Sequence, residues 1–197
     1  MMNYQPSIRQ KIKIGYYAIV AMIIGLSAFT FIELNFFEKK IMVGETISEF
    51  FDTALEIRRF EKNYFLYEQK SDFEENIRYV ARAQALLATS STAFAAVATD
   101  EQIARLRSSL ARYREIMGQY EKLNRKSAGE KIRPDGVHKA KLEGDIRKSG
   151  KDIITIAEDI SKAERKSLQV LLGSSRRVLI FSIVFLVVLV IAIGQIM

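Results

Sequence analysis

The chain has 197 residues, of which 30 are basic and 23 are acidic, and its formal net charge is +7. It contains no cysteine, which excludes a disulfide framework and any metal site built from thiolates. The basic excess in the middle of the chain is small and interspersed with acids. We therefore expect a solvated helical surface there and no nucleic acid partner.

The first element is an apolar run that follows a short basic tail, residues 1–13. The run, Ile14–Ile32, has 19 residues and no charge, which is enough for a helix to cross a bilayer core of about 30 Å. A cleaved signal peptide is the alternative. The run is longer than the usual core of such a peptide, and no small-residue cleavage pattern precedes Glu33. We predict an uncleaved first transmembrane helix.

The middle segment, residues 33–177, carries apolar residues at alternating steps of three and four. This spacing is typical of helices that pack at small angles, and strand-like alternation is absent over any useful length. We predict an all-α fold, an antiparallel up-down four-helix bundle with helices at Glu33–Tyr67, Ser71–Ala98, Asp100–Leu123 and Val137–Arg177. The predicted core positions are Val43, Ile47, Phe50, Ala54, Ile57, Glu61 and Tyr64; Phe73, Ile77, Val80, Gln84, Leu87, Ser91, Phe94 and Ala98; Ile103, Leu106, Leu110, Tyr113, Met117 and Tyr120; and Leu142, Ile146, Ser149, Ile153, Ile156, Ile160, Ala163, Ser167 and Val170.

The helix boundaries come from capping patterns. Ser71 with Glu74 predicts a capping box at the start of the second helix, and Thr99 with Gln102 predicts one at the start of the third. The short turns before these boxes favour antiparallel neighbours. Residues 124–141 contain two glycines and a proline, so we expect the only long irregular stretch there.

The first and last predicted helices are longer than the two between them. Their extra turns, roughly Glu33–Ile41 and Arg165–Arg177, are expected to form a two-helix stalk. The second apolar run, Val178–Met197, has 20 residues and no charge, which predicts a second transmembrane helix.

Charge next to the apolar runs predicts the orientation of the chain. Short basic flanks remain cytoplasmic, so the tail of residues 1–13 should lie inside and residues 33–177 outside. Arg176 and Arg177 at the second run favour the opposite orientation, but long segments cross largely regardless of their charge. We expect a multi-pass protein of the inner (cytoplasmic) membrane with the lipid bilayer as a partner.

Residues for catalysis are missing from the sequence. The only histidine, His138, lies in the irregular stretch, so neither a histidine metal cluster nor a Ser-His-Asp triad is expected. No phosphate-binding glycine motif occurs, and acidic pairs such as Glu158–Asp159 are adjacent and would diverge on a helix. We expect no catalytic residue, metal or cofactor in this chain, although a longer parent protein would carry an enzyme if it is a kinase.

A short segment late in the first predicted helix has a distinctive pattern, and residues 55–66 read LEIRRFEKNYFL. This pattern and the layout of the chain resemble the helical-bundle sensor regions of bacterial histidine kinases and chemoreceptors, particularly the helical bimodular class. The middle segment is short for two stacked bundles, which departs from that class. The matching positions are Arg58 or Arg59, Glu61, Lys62, Asn63, Tyr64 and Leu66.

The resemblance implies a membrane sensor module of a two-component system. It would detect an extracytoplasmic signal and pass it through the second transmembrane helix to a histidine kinase that is not present in these residues. The alternatives are the same module of a methyl-accepting chemoreceptor, or a membrane-anchored helical scaffold that senses nothing.

Glu61 occupies a predicted core position, where an ionised carboxylate is costly unless it is paired. Reflecting the chain about the first turn predicts Arg78 or Arg82 as its partner. One interpretation is a polar layer that fixes helix register; the other is a pocket where arginines bind a small anionic ligand. The candidate ligand-binding residues are Arg58, Arg59, Lys62, Asn63, Tyr64, Arg78 and Arg82, with Tyr67, Tyr113 and Tyr120 as further aromatic lining.

The expected partners follow from this interpretation. We expect a homodimer, in which Ala21 and Gly25 form a small-xxx-small pair on the first apolar run. The signal would be a small anionic ligand or a periplasmic binding protein, and it would shift one helix against another by about 1–2 Å.

Overall fold

The computed structural model describes residues 8–129 and 136–196, and these residues form helices joined by short turns. The all-α prediction is confirmed for this part of the chain. The helices are α1 (Ile8–Tyr67), α2 (Lys70–Thr89), α3 (Ser91–Ala95), α4 (Asp100–Gly129) and α5 (Gly136–Ile196).

The turn between α1 and α2 differs from the predicted capping box at Ser71. Helix α2 begins at Lys70, and its N-cap residue Gln69 makes no side-chain capping hydrogen bond. Glu68 adopts a φ of 52°, a left-handed conformation of the kind that often ends helices. Because this reversal needs only two residues, the helix starts before Ser71 and leaves that side chain no capping role.

The capping box at the start of α4 is confirmed. The backbone N–H of Gln102 donates to Thr99 Oγ1 at 3.2 Å, and the backbone N–H of Thr99 donates to Gln102 Oε1 at 2.9 Å. The two exchanged hydrogen bonds satisfy donors that a helix start otherwise leaves without partners.

The single helix predicted over Ser71–Ala98 is interrupted, because Ser90 leaves the helical conformation with φ −110° and ψ 33°. Thr89, Ser90, Ser91 and Thr92 follow one another at this point, and hydroxyl side chains compete with the helix for backbone hydrogen bonds. The interruption separates α2 from the short α3. Its Phe94 ring is buried and lies edge-on to Phe50, with ring centroids 5.1 Å apart.

The irregular stretch predicted over residues 124–141 is shorter than expected. Helix α4 continues to Gly129 and α5 begins at Gly136, so residues 124–129 and 136–141 are helical. Each helix ends or begins at a glycine, whereas Arg125 to Ala128 are compatible with helix. The remaining part of the predicted stretch lies outside the described residues.

The described residues divide into two compact units, one within residues 1–41 with 167–197 and the other within residues 42–166. In the second unit, one hydrophobic core takes buried side chains from all five helices. The predicted stripe on α4 is buried from Leu106 to Tyr120, and on α1 the stripe from Ile47 to Tyr64 is buried.

Two predicted stripes are displaced from their positions. On α2 the buried residues are Asn76, Val80, Ala83 and Leu87, whereas Gln84 is half-buried. On α5 the stripe holds as far as Ile160, after which Glu164 is buried instead of Ala163. A helix has 3.6 residues per turn, so a stripe extrapolated at 3.5 drifts off the buried face over several turns. Because Asn76 and Glu164 are polar, the pattern of apolar residues did not reveal that they lie on the buried face.

The first unit contains the two apolar runs, carried by α1 and α5. Each helix includes a strongly apolar window of 18 residues, and neither window is buried. Both helices are long and apolar enough to cross a membrane. Two side-chain hydrogen bonds join α1 and α5 within this unit. Ser175 Oγ donates to Glu33 Oε1 at 3.0 Å, and Lys40 Nζ donates to Ser167 Oγ at 3.3 Å.

Candidate functional site

The core of the second unit contains a buried carboxylate, Glu61 of α1, which is 1% exposed. Arg58, one turn earlier on the same helix, donates to Glu61 Oε1. Tyr113 of α4 donates its hydroxyl to Glu61 Oε2 at 3.2 Å. Both carboxylate oxygens therefore have a donor, as a buried charge requires.

Asn76 of α2 completes this buried polar cluster. Its side-chain amide nitrogen donates to the Ile57 carbonyl at 2.8 Å and to Tyr113 Oη at 2.9 Å. The amide oxygen is buried and accepts no hydrogen bond from the described residues. The sequence prediction missed Asn76, although its spacing of four residues before Val80 and seven before Ala83 was a usable signal.

Helix α5 approaches the cluster at Gly150. A Cβ atom added there would lie 2.7 Å from Glu61 Oε2 and 2.9 Å from Arg58 Cδ. At these distances a side chain at position 150 would force the Glu61 or Arg58 side chain to move, so glycine lets α5 lie against the Arg58–Glu61 pair as it stands. The cluster thus joins α1, α2, α4 and α5. We call Arg58, Glu61, Asn76, Tyr113 and Gly150 the Glu61 cluster.

Burial is the main cause of the pKa shifts in this cluster. The pKa of Glu61 is raised because burial disfavours the carboxylate, and Arg58, through its charge and hydrogen bond, opposes that rise. The pKa of Tyr113 is raised well above its ordinary value by burial and by the neighbouring Glu61. Tyr113 therefore remains a hydrogen-bond donor at neutral pH.

A second polar network lies beside Tyr64. The Tyr64 hydroxyl donates to Glu121, and Asn124 Nδ2 donates to Tyr64 Oη at 3.4 Å. Lys139 Nζ donates to Asn124 Oδ1 at 2.9 Å and to Glu68 Oε1 at 2.8 Å. These bonds connect α1, α4 and α5 through five polar side chains.

Tyr120 anchors a third set of contacts. Its hydroxyl donates to Glu143 Oε1 at 3.0 Å, and Arg147 donates to the other oxygen of Glu143 at 3.2 Å. The Arg147 guanidinium also lies 5.4 Å from the centre of the Phe65 ring. The pKa of Tyr120 is raised by burial and by the Glu143 carboxylate, which accepts a hydrogen bond from its hydroxyl.

The predicted partner of Glu61 is wrong. Arg78 pairs with Glu75 on its own helix, and Arg82 pairs with Glu49 at 2.7 Å. Both arginines are exposed, because α2 directs Asn76 and Val80 inward and these two side chains outward. Counting residues from the turn predicted which residues of α1 and α2 lie at the same height. It did not predict which face of α2 each residue occupies.

The other predicted ligand residues are also distributed over different surfaces. Arg59 is exposed and pairs with Glu56 at 2.6 Å. Lys62 is exposed, Asn63 is half-buried and Tyr64 is buried, while Tyr67 is exposed. The ligand-binding role of the seven candidate residues stays a prediction.

Two of the candidate arginines lie beside the same pair of stacked aromatic rings. The Phe60 and Tyr79 rings are stacked between α1 and α2, with centroids 5.5 Å apart. Arg59 lies 4.5 Å from the Phe60 ring centre, and Arg78 lies 5.6 Å from that of Tyr79. The two cations therefore sit at one aromatic contact, each with a carboxylate of its own helix.

Within the described residues, no three histidine, cysteine, aspartate or glutamate side chains come together in a group that could hold a metal ion. No family model matches the chain, and no curated protein or solved structure shows a significant similarity to it. The function is therefore argued from the sequence pattern and from the contacts described above.

Proposed function

We propose that this chain is the sensor module of a membrane signal-transduction protein. Residues 14–32 and 178–197 would cross the inner membrane. Residues 33–177 would form an extracytoplasmic four-helix bundle, with α2 and α3 together as its second helix. The signal would leave through the second transmembrane helix to a histidine kinase, in a homodimer.

The observation that carries this proposal is the continuity of α1 and α5. Each runs without a break through both an apolar window and a segment that supplies core residues. A continuous helix moves as a stiff element, so a displacement of its core segment also displaces its apolar segment. Shifts of about 1–2 Å between packed helices are a known form of switching.

The buried polar clusters support a switch with discrete positions. In the core of the second unit, Tyr113 of α4 donates to Glu61 of α1, and Asn76 of α2 donates to Tyr113 and to the Ile57 carbonyl of α1. Arg58 holds Glu61 from within α1. Sliding one helix would break these bonds, so the register is either kept or exchanged for another fully bonded one. A signal would act by binding one register better than the other.

The kinase output is supported by the LEIRRFEKNYFL segment alone, which resembles kinase sensors more than chemoreceptor sensors. The structure gives the segment a physical role, because Arg58, Glu61 and Tyr64 provide bonds in the first two polar networks.

The test is disulfide formation between the two membrane-proximal helices of the first unit. The chain has no cysteine, and Glu33 and Ser175 are already in hydrogen-bond contact. The double variant Glu33→Cys with Ser175→Cys should form an intramolecular disulfide in membranes at a rate that changes when the signal is added. Free amino acids and small organic acids are the probes. The control pair Ile47→Cys with Ala111→Cys joins a buried and an outward-facing position and should form none.

A crosslinking rate that is the same with and without every probe, while binding of a probe is measured separately, would contradict the sensor proposal. Crosslinking between subunits at Gly25→Cys would test the homodimer, since a Cβ at Gly25 meets no atom within 4 Å in the chain itself.

A further inference from the structure

A cleft opens between α4 and α5 of the second unit, and none of its lining residues belongs to the Glu61 cluster. Its volume is about 340 Å³, which falls within the range of small-molecule sites. It is lined by three serines and by four charged side chains, two of each sign. The charged residues are Arg112, Asp145, Lys148 and Asp152.

The cleft exists because small residues occupy a place where the two helices meet. Ser149 of α5 is buried, and its hydroxyl donates to the Ser109 carbonyl of α4 at 3.1 Å. One turn away in each direction on α5, Ile146 and Ile153 fill the core. The three serine side chains are short, and open space remains between α4 and α5 at their level.

The charged residues of the cleft differ in their pairing from the four arginines among the predicted ligand residues. Among the described residues, Arg58, Arg59, Arg78 and Arg82 each form a salt bridge with a carboxylate. None of the four charged residues of the cleft takes part in a salt bridge in the same part of the chain. Opposite charges thus line one cavity without neutralising each other in direct contact.

The four charged residues of the cleft are divided between its two helices. Asp145, Lys148 and Asp152 follow one another at steps of three and four on α5, so they share one face of that helix. Arg112 lies on α4 across the cleft. Asp145 and Asp152 are half-buried, whereas Arg112 and Lys148 are exposed.

We propose that this cleft binds a small zwitterion of the α-amino acid type. Its carboxylate would pair with Arg112 and Lys148, and its ammonium group with Asp145 or Asp152. The serine hydroxyls would supply further hydrogen bonds. The formal charges of the lining cancel, so a purely anionic or purely cationic ligand would meet repulsion from half of it.

Binding at this cleft does not require the sensor function, but it would supply that function with an input. A ligand held by residues of both α4 and α5 favours one position of α5 relative to α4. Because α5 also carries the second apolar window, the site is placed on the helix through which the proposed signal leaves. The binding proposal and the sensor proposal can fail separately.

The test is calorimetry on the full chain in detergent micelles, titrated with each of the twenty common amino acids. At least one is expected to bind. Its N-acetyl derivative lacks the ammonium charge and its amide lacks the carboxylate charge, so each should bind at least tenfold more weakly. Equal binding of either derivative, or no heat with any amino acid, would overturn the proposal.

Variants locate the site. Arg112→Gln and Asp145→Asn should each weaken binding at least tenfold, whereas Arg107→Gln and Asp159→Asn change exposed charges outside the cleft and should leave binding unchanged. Ser108→Phe keeps every charge and obstructs the cleft, so it should also abolish binding. Circular dichroism checks that each variant is folded. Wild-type binding by folded Arg112→Gln and Ser108→Phe would place the ligand elsewhere and overturn the proposal.

Amino acid binding without any change in the Glu33–Ser175 crosslinking rate would support the cleft and contradict the sensor function. A crosslinking response to organic acids, with no amino acid bound, would do the reverse.

Discussion

At the scale of single residues, the Arg58–Glu61 pair shows how a charge is kept in a helical core. The two side chains are one turn apart on α1, and Glu61 is buried. A buried carboxylate that loses the cation bonded to it is left desolvated and poorly compensated, which typically costs about 3–5 kcal/mol. Replacing both partners with apolar residues avoids that cost.

We therefore expect Arg58→Met to destabilise the folded chain by about 3–5 kcal/mol. The double variant Arg58→Met with Glu61→Leu should recover most of that loss. The control Arg59→Met removes an exposed pair and a contact with the Phe60 ring, each worth at most about 1 kcal/mol at an exposed site. Unfolding in micelles, followed by circular dichroism, measures all three. A double variant less stable than Arg58→Met would contradict this interpretation.

The raised pKa of Glu61 predicts how its contribution to stability depends on pH. The folded state holds the carboxyl proton to a higher pH than the unfolded state, whose pKa is near the ordinary value of 4.5. The free energy of unfolding contributed by this group therefore falls as pH rises from about 4.5 through the raised folded pKa. The direction is opposite to that of a salt-bridged surface carboxylate.

Glu61→Gln removes this proton uptake. Its stability relative to the wild type should increase as pH rises through that window and become constant above it. Melting temperatures of both proteins between pH 4 and pH 8 measure the difference. A difference that decreases with rising pH would mean that Arg58 and Tyr113 outweigh burial and lower the pKa.

At the scale of helices, the spacing of apolar residues predicted the buried face of a helix where the buried residues are themselves apolar. The stripe from Leu106 to Tyr120 was correct because nearly every buried residue of α4 is apolar. On α2 the stripe was displaced because Asn76 is buried and polar. Gly150 was missed because a glycine does not contribute to an apolar pattern. Its role depends on the α1 side chains that lie against it.

Gly150 allows the sharpest test of helix packing. Gly150→Ala would place a Cβ 2.7 Å from Glu61 Oε2, so the pair or the helix must move, at a cost of about 1–3 kcal/mol. Gly144→Ala on the same helix meets nothing within 4 Å and should stabilise the chain by about 1 kcal/mol. Thermal unfolding of both variants provides the measurement. Stabilisation by Gly150→Ala, of the size expected for Gly144→Ala, would show that Gly150 is not a packing position.

At the scale of the whole molecule, the sequence predicted the helical class and the two apolar segments, because composition and run length determine both. It could not predict which polar side chains meet inside the core. Glu61 was recognised as a core position, but its partner depends on the rotation of α2, which the order of residues does not reveal. The cleft between α4 and α5 likewise depends on two helices meeting at Ser109 and Ser149.

The central claim is that both apolar segments cross the membrane and that residues between them lie outside. Because the chain has no cysteine, single cysteines at two exposed positions, Ala111→Cys in α4 and Ile8→Cys in α1, report each side without background. In spheroplasts, a membrane-impermeant maleimide should label Ala111→Cys at once and Ile8→Cys only after permeabilisation. Immediate labelling of Ile8→Cys, or protection of Ala111→Cys, would contradict the account.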